Sequence, residues 1–207
     1  MTDLSIIIVC YKGWERLNKC LNALDSFTGN IFSYEVLVVD NKSDDDTIFE
    51  IERKFPKFRF IYNKINGGFA NGCNLGARNA SGNYLLFLNP DTVATEPEIG
   101  KLLKVITENP DYGIVSCRQV NEKGKESNSK GDFPSILNLT GFLRTFFRHR
   151  RPQTSGCIPG IDFPDWVSGS VILLRNELFK RLNGFDENFF MYFEDVDLCK
   201  RVSETGG

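Results

Sequence analysis

A chain of 207 residues can bury one sizeable core but is short for two, and 41% hydrophobic with 25% charged residues is ordinary for a globular protein. Its net charge of −2 gives no electrostatic reason to expect nucleic acid as a partner, and no apolar run approaches the ~20 residues that cross a bilayer. The single histidine, His149 between two arginines, leaves almost no material for serine triads, multi-histidine metal centres or histidine-based proton transfer, so an enzyme built on this sequence is expected to work through carboxylates.

In chain order, the continuous apolar run LSIIIVCY (4–11) predicts a strand buried on both faces. Residues 13–27 then place Trp14, Leu17, Leu21, Leu24 and Phe27 at helical spacing. YEVLVVD (34–40) predicts a second buried strand, and Ser43 with Asp44 to Asp46 reads as the start of a helix over 44–55. FRFIY (58–62) is a third strand, 69–80 a helix, YLLFLN (84–89) a fourth strand, 96–108 a helix and YGIVSC (112–117) a further strand. Strands alternating with helices predict βαβ units and a mostly parallel sheet. Beyond residue 117 the pattern loosens. Residues 121–131 read as a hairpin or mobile loop, and 133–165 have no clear period. FLRTFFRHRRP (142–152) is basic and amphipathic, readable as a solvated helix packed on the core or as a peripheral membrane contact. WVSGSVILLR (166–175) returns to strand character, and 176–183 to a short helix. Six cysteines (10, 20, 73, 117, 157 and 199) without a C-x-x-C pair, and an N-terminus without a signal peptide's basic start, point to reduced thiols in a cytoplasmic setting.

In a parallel sheet, ligands bind beyond the carboxyl ends of the strands. Three apolar strands here run into polar residues at that edge: Cys10-Tyr11, Asp40-Asn41 and Asn89-Pro90-Asp91. Any one of them also suits a helix cap. Asp40 can accept hydrogen bonds from a ribose or a base N–H, and Tyr11 offers a ring for stacking. NGGFANGCNLGARN (66–79) is a glycine-rich turn entering a helix, where backbone approaches a ligand closely and the helix start favours an anion. Asp91, behind a rigid Asn-Pro, presents a hard oxygen suited to Mg²⁺. Near the C-terminus, FFMYFEDVDLCKR (189–201) sets Glu194, Asp195 and Asp197 directly after aromatic residues. Asp197 and Arg201 have the i,i+4 spacing of a helix-stabilising pair, whereas Asp195 lies about 200° from Asp197 around a helix.

In order, SIIIVCYK, VVDNKSDD, NGGFANGCNLGAR, FLNPDT, WVSGSVILLR and GFDENFFMYFEDVDLCKR resemble the signature blocks of family 2 inverting glycosyltransferases with the GT-A fold, most closely the rhamnosyltransferase-like enzymes of polysaccharide assembly. The resemblance spans nearly the whole chain. It implies a Rossmann-like, mostly parallel α/β sheet flanked by helices, with residues 1–117 as the nucleotide-sugar-binding half and 118–207 as the smaller acceptor-side, catalytic half of the same domain. It implies that Tyr11 and Asp40 hold the donor nucleotide and that Asn66, Gly67 and Asn74 lie near its ribose and diphosphate. Asn89 would meet the sugar or ribose, and Asp91 would bind Mg²⁺ or Mn²⁺. Asp195 would be the catalytic base, with Glu194 and Trp166 on the acceptor side. Phe190, Tyr192 and Phe193 are expected to limit water beside that base. Lys12 stands where these enzymes often carry Asn, and Asn89 replaces the first acid of their Asp-x-Asp motif. The family's catalytic domain continues to a histidine completing the metal site, so this chain is expected to be a C-terminally truncated form.

The implied reaction moves a sugar from a nucleoside diphosphate, dTDP-rhamnose being the subgroup's usual donor, to a saccharide or lipid-linked acceptor in cell-surface polysaccharide synthesis. Two other readings fit the same residues. A nucleotidyltransferase would need more basic residues in the glycine-rich loop than Arg78, and a non-catalytic nucleotide-sugar-binding scaffold would need no base.

Overall fold

The computed structural model describes residues 2–121, 123–127, 129–133 and 161–206. Strand β1 (Leu4–Cys10) leads to α1 (Trp14–Asp25), β2 (Tyr34–Asp40) to α2 (Thr47–Lys54), β3 (Arg59–Tyr62) to α3 (Gly68–Arg78) and β4 (Tyr84–Leu88) to α4 (Glu96–Glu108). Then come β5 (Ile114–Val115), β6 (Lys130–Gly131), β7 (Trp166–Val167), β8 (Val171–Arg175), α5 (Asn176–Arg181) and α6 (Glu194–Glu204).

The main sheet has the order β3-β2-β1-β4-β8-β5. Its first four strands are parallel, while β8 runs antiparallel between β4 and β5. The predicted α/β sheet is therefore present, with one reversal. Both faces of β1 are covered, which explains its unbroken apolar sequence. Leu4, Ile6 and Ile8 pack with Leu17, Leu21, Ile48 and Ile99 of α1, α2 and α4. Ile7 and Val9 face the other way, among Ala70, Cys73, Phe179 and Leu198 of α3, α5 and α6.

Several sequence expectations are altered. The helix expected over 44–55 begins only at Thr47, where Asp45 accepts the Thr47 N–H. Ser43 does not start it, because its hydroxyl is held by Asp40. The strand expected over 112–117 shrinks to Ile114–Val115. The strand expected over 166–175 is two strands: β7 pairs with β6 in a separate ribbon, and β8 enters the main sheet. The Asn121 N–H donates to the Lys125 carbonyl and the Asn121 carbonyl accepts the Gly124 N–H, with Val120 bridged to Glu126. The 142–152 stretch lies outside the described residues. Among the described helices none is long and apolar enough to cross a membrane. The five described cysteines are all free thiols.

The glycine-rich block does two jobs. Gly72 and Gly76 lie inside α3, where a Cβ would run into Val9 and Ile7, so they set the helix close against the sheet. Only Gly67 and Gly68 stand at the sheet's carboxyl edge. Gly68 adopts φ +81°, and a Cβ there would overlap the carbonyl oxygen of Phe190. This position tolerates only glycine without a shift of the loop.

Candidate active site

Because β1, β2 and β4 are parallel and adjacent, their carboxyl ends deliver Tyr11, Asp40 and Asn89 to one edge, as the strand-end reading expected. Tyr11 is exposed, with the Lys12 ammonium 5.6 Å from its ring centre. Lys12 and Gly13 both take left-handed backbone (φ 57° and 71°), which turns the chain sharply from β1 into α1. That turn is pinned: the Lys12 N–H donates to Ser43 Oγ at 2.9 Å, and the Ser43 hydroxyl and N–H donate to the Asp40 carboxylate. Asp40 is thus buried and already accepts hydrogen bonds from its own loop. It shapes the floor between the first two loops as well as facing that edge.

A second network, of asparagines, runs from this floor across the cleft. Asn41, also buried, donates to Asn66 Oδ1 (2.9 Å) and to the Gly68 carbonyl (3.0 Å). Asn63 donates to the side-chain oxygens of Asn41 (2.8 Å) and Asn71 (2.7 Å). Asn71 and Asn74 in turn donate to the two carboxylate oxygens of Glu187. Those bonds, Asn74's first and with Arg78 nearby, hold the Glu187 carboxyl below its ordinary range. Asn74, expected near the ribose and diphosphate, is instead buried, donating to the Phe185 carbonyl and accepting its N–H, each at 2.9 Å. It braces α3 against the 185–187 turn, and its amide is spent on that brace. Asn66 and Gly67 remain at the edge. Asn41, Asn63, Asn71 and Glu187 form the frame that sequence reasoning missed; the only signal was the density of asparagines between 63 and 79.

The third element is the break between β7 and β8. Ser170 donates its N–H to Ser168 Oγ at 3.4 Å there. Its carbonyl accepts the Asn89 N–H at 3.0 Å, tying this break to the Asn89-Pro90-Asp91 turn. One residue earlier, the Gly169 N–H donates to Asp195 Oδ2 at 2.8 Å. A Cβ on Gly169 would sit 3.2 Å from the Phe69 ring, so this chain passes closely between α3 and α6. The turn that carries Asp91 and the proposed base are therefore linked through two consecutive residues, Gly169 and Ser170. The other oxygen, Asp195 Oδ1, accepts the Val196 N–H at 2.8 Å. Phe193 stands at the helix's N-cap without offering a side-chain cap, so Asp195 itself satisfies an N–H of the first turn. Asp197 takes the purely structural role expected of it, paired with Arg201 at 2.6 Å.

Glu194 differs from expectation. Expected on the acceptor side, it is buried (6% exposed), and its Oε2 has no hydrogen-bond partner. Burial pushes its carboxyl above the usual range, with the charge of Asp195 adding to the effect. The expected aromatic shield is also not there: Phe190, Tyr192 and Phe193 face solvent beside Asp195. Trp166 is half-buried on β7, donating its indole N–H to the Asp132 carbonyl at 3.0 Å. It lines a cavity of about 660 Å³ with Tyr112, Phe133 and Cys199.

Asp91 is exposed and takes no side-chain hydrogen bond among the described residues. No group of three or more His, Cys, Asp or Glu side chains arranged to hold a metal ion occurs among the described residues. One uncommitted carboxylate fits the way Mg²⁺ or Mn²⁺ is held when a substrate's phosphates supply most of the coordination. It does not fit a cage made by the protein alone.

The family model described as Glycosyl transferase family 2 matches residues 5–163. The chain is 29% identical over 211 residues to Rhamnosyltransferase WbbL of Escherichia coli (strain K12), covering 97% of this chain and 77% of that protein. It is 28% identical over 225 residues to the N-acetylglucosaminyl-diphospho-decaprenol L-rhamnosyltransferase of Mycobacterium tuberculosis (strain ATCC 25618 / H37Rv), covering 100% and 72%. Its fold is that of the mannosyltransferase PcManGT from Pyrobaculum calidifontis, solved with GDP-Man and Mn²⁺, at a TM-score of 0.69 and 17% identity. That match covers 100% of this chain and 55% of the mannosyltransferase, so the chain spans about half of its length.

Proposed function

The chain belongs to glycosyl transferase family 2, and from this and the geometry of its sheet edge we propose that it inverts the anomeric centre of a nucleoside-diphosphate sugar during transfer to a saccharide or lipid-linked acceptor. The observation that carries the mechanism is the Gly169–Asp195 hydrogen bond, which holds one carboxylate at the edge where the donor loops converge.

A sugar hydroxyl is a poor nucleophile, so a base must take its proton as the new bond forms. Asp195 has both oxygens oriented by backbone N–H groups, and each keeps a further lone pair for that proton. The acceptor oxygen attacks the anomeric carbon, the bond to the diphosphate breaks with its electron pair, and the proton ends on Asp195. One base suffices for such a single displacement, unlike the paired carboxylates of glycoside hydrolysis. Tyr11 offers a surface for the nucleotide base, and the 66–68 turn before α3 offers backbone N–H groups to the diphosphate. Asp91 would hold Mg²⁺ or Mn²⁺, which when bound offsets the charge gathering on the leaving diphosphate.

Two relatives named as rhamnosyltransferases make dTDP-rhamnose the first donor to test, and a diphospho-decaprenol in one of those names makes a lipid diphosphate saccharide the first acceptor class. Cell-surface glycan assembly on the cytoplasmic side, at or near the membrane, is the setting this reading requires. The nucleotidyltransferase alternative lacks cations where it needs them, since Arg78 sits in the last turn of α3, 3.7 Å from Glu187. Calorimetry with dTDP-, UDP- and GDP-sugars, with and without Mn²⁺, tests the proposal. We expect one donor class to bind, and more tightly with metal. Binding of none would refute it.

A further inference from the structure

Four consecutive side chains leading into Asp195 are turned out of the protein: Phe190, Met191, Tyr192 and Phe193 are 55%, 55%, 73% and 59% exposed. Large apolar side chains grouped in this way on a surface mark a contact with something else. The segment is not loose chain. The Phe190 carbonyl accepts the Phe69 N–H at 3.0 Å, and the Phe193 carbonyl accepts the Asp197 N–H at 2.9 Å. Between these anchors Tyr192 and Phe193 both hold left-handed backbone, φ 69° and 70°, where bulky L residues are rare. Strained backbone persists where the surroundings over-determine it, and such places concentrate at ligand clamps.

We propose that Phe190, Met191, Tyr192 and Phe193 form a platform for a pyranose ring of the acceptor, its C–H face lying on the aromatic side chains and its reacting hydroxyl at Asp195. The inference rests on the transferase reading of Asp195. A pyranose has one face of C–H groups and an edge of hydroxyls, and the electron-rich face of an aromatic ring attracts the former. The Tyr192 phenol is free to exchange hydrogen bonds with the latter, and the flexible thioether of Met191 adapts to the ring's outline. Charge decides against a membrane as the occupant. From Phe185 to Asp195 the segment carries four carboxylates and no lysine or arginine; with Glu194 buried and Glu187 beside Arg78, Asp186 and Asp195 are left to repel an anionic lipid surface where a neutral sugar is not repelled. Position agrees, because Phe193 is two residues from Asp195 and the ring bearing the nucleophile must lie within reach of that carboxylate. The Phe190–Phe69 bond also makes this platform and the start of α3 parts of one wall.

Saturation-transfer NMR with the methyl glycosides of glucose, N-acetylglucosamine and rhamnose, without donor, reads the platform directly. At least one glycoside should receive saturation at its ring C–H protons from the wild type. The double variant Phe190→Ala/Tyr192→Ala should bind it about tenfold more weakly. Val120→Ala, an exposed apolar residue on a different turn, should bind it unchanged. Donor affinity by calorimetry should be the same in all three, which separates this test from that of the donor site. Saccharide binding with no nucleotide-sugar binding would leave the platform standing while the transferase reading fell. The proposal is overturned if no methyl glycoside is saturated by the wild type, or if the double variant binds as well as Val120→Ala. It is equally overturned if the double variant loses only sedimentation with phosphatidylglycerol vesicles.

Discussion

The two sides of the cleft are built by different means. On the side proposed for the donor, Tyr11, Asp40 and Asn89 stand at the ends of regular strands, and parallel pairing of β1 with β2 and β4 puts them at one level. On the side proposed for the acceptor, Asp195 is placed by the break between β7 and β8, a left-handed turn and an unconventional helix start. The first arrangement is inexpensive, because hydrophobic burial that the sheet needs anyway aligns the polar ends. The second depends on single contacts between residues far apart in sequence: Gly68 and Phe69 with Phe190, Asn71 and Asn74 with Glu187, and Gly169 with Asp195. Precision on that side therefore rests on a few positions, and it should be easier to break.

The largest effect is expected at Asp195. Asp195→Asn keeps an oxygen for the Gly169 N–H and removes the proton acceptor. Turnover should fall about 10²–10⁴-fold while calorimetric donor affinity is preserved. Retained turnover would move the base elsewhere and dissolve the contrast between the two sides. Gly68→Ala tests whether the sides are latched. The left-handed backbone costs a non-glycine residue about 1–2 kcal/mol, and the overlap with the Phe190 carbonyl adds to it, so Tm should drop by roughly 4–8 °C. An unchanged Tm would mean that the two loops move independently.

The smallest effect is at Glu194, and it depends on pH. Burial holds its folded carboxyl above the ordinary value near ~4.3. Below that ordinary value both states are protonated and stability is whole; as pH rises toward the folded value, the unfolded chain ionises first and stability falls. Glu194→Gln cannot ionise and should be more stable than the wild type at pH 8, with no gain near pH 4, as read by thermal melts. A loss at pH 8 would instead show that the carboxylate has a partner in solution.

Much of this could be read from the chain. The four parallel strands, α4 from 96 to 108, the polar strand ends and the Asp197–Arg201 pair all follow from short-range pattern. Asp195 was legible too, although only in company with the other blocks. The roles of its neighbours were not. Glu194 reads as an acceptor-side acid and is buried, whereas Phe190, Tyr192 and Phe193 read as cover and are exposed. Sequence periodicity assigns faces within an element. It cannot foresee a left-handed turn at Tyr192 and Phe193, which reverses those faces just before the helix. Asn74 likewise reads as a ligand in a glycine-rich loop, until the 185–187 turn, over a hundred residues away, takes up its amide.

The sequence by itself determined the parallel strands and their polar carboxyl edge, because apolar runs and strand-terminal polar residues are local consequences of covering both faces of a parallel sheet, and six ordered blocks carried the family resemblance. Only the tertiary structure decided which carboxylate is held at the cleft, which is buried, and which aromatic rings are left bare. Those choices are made by single hydrogen bonds and steric limits between distant segments, for which no local pattern exists.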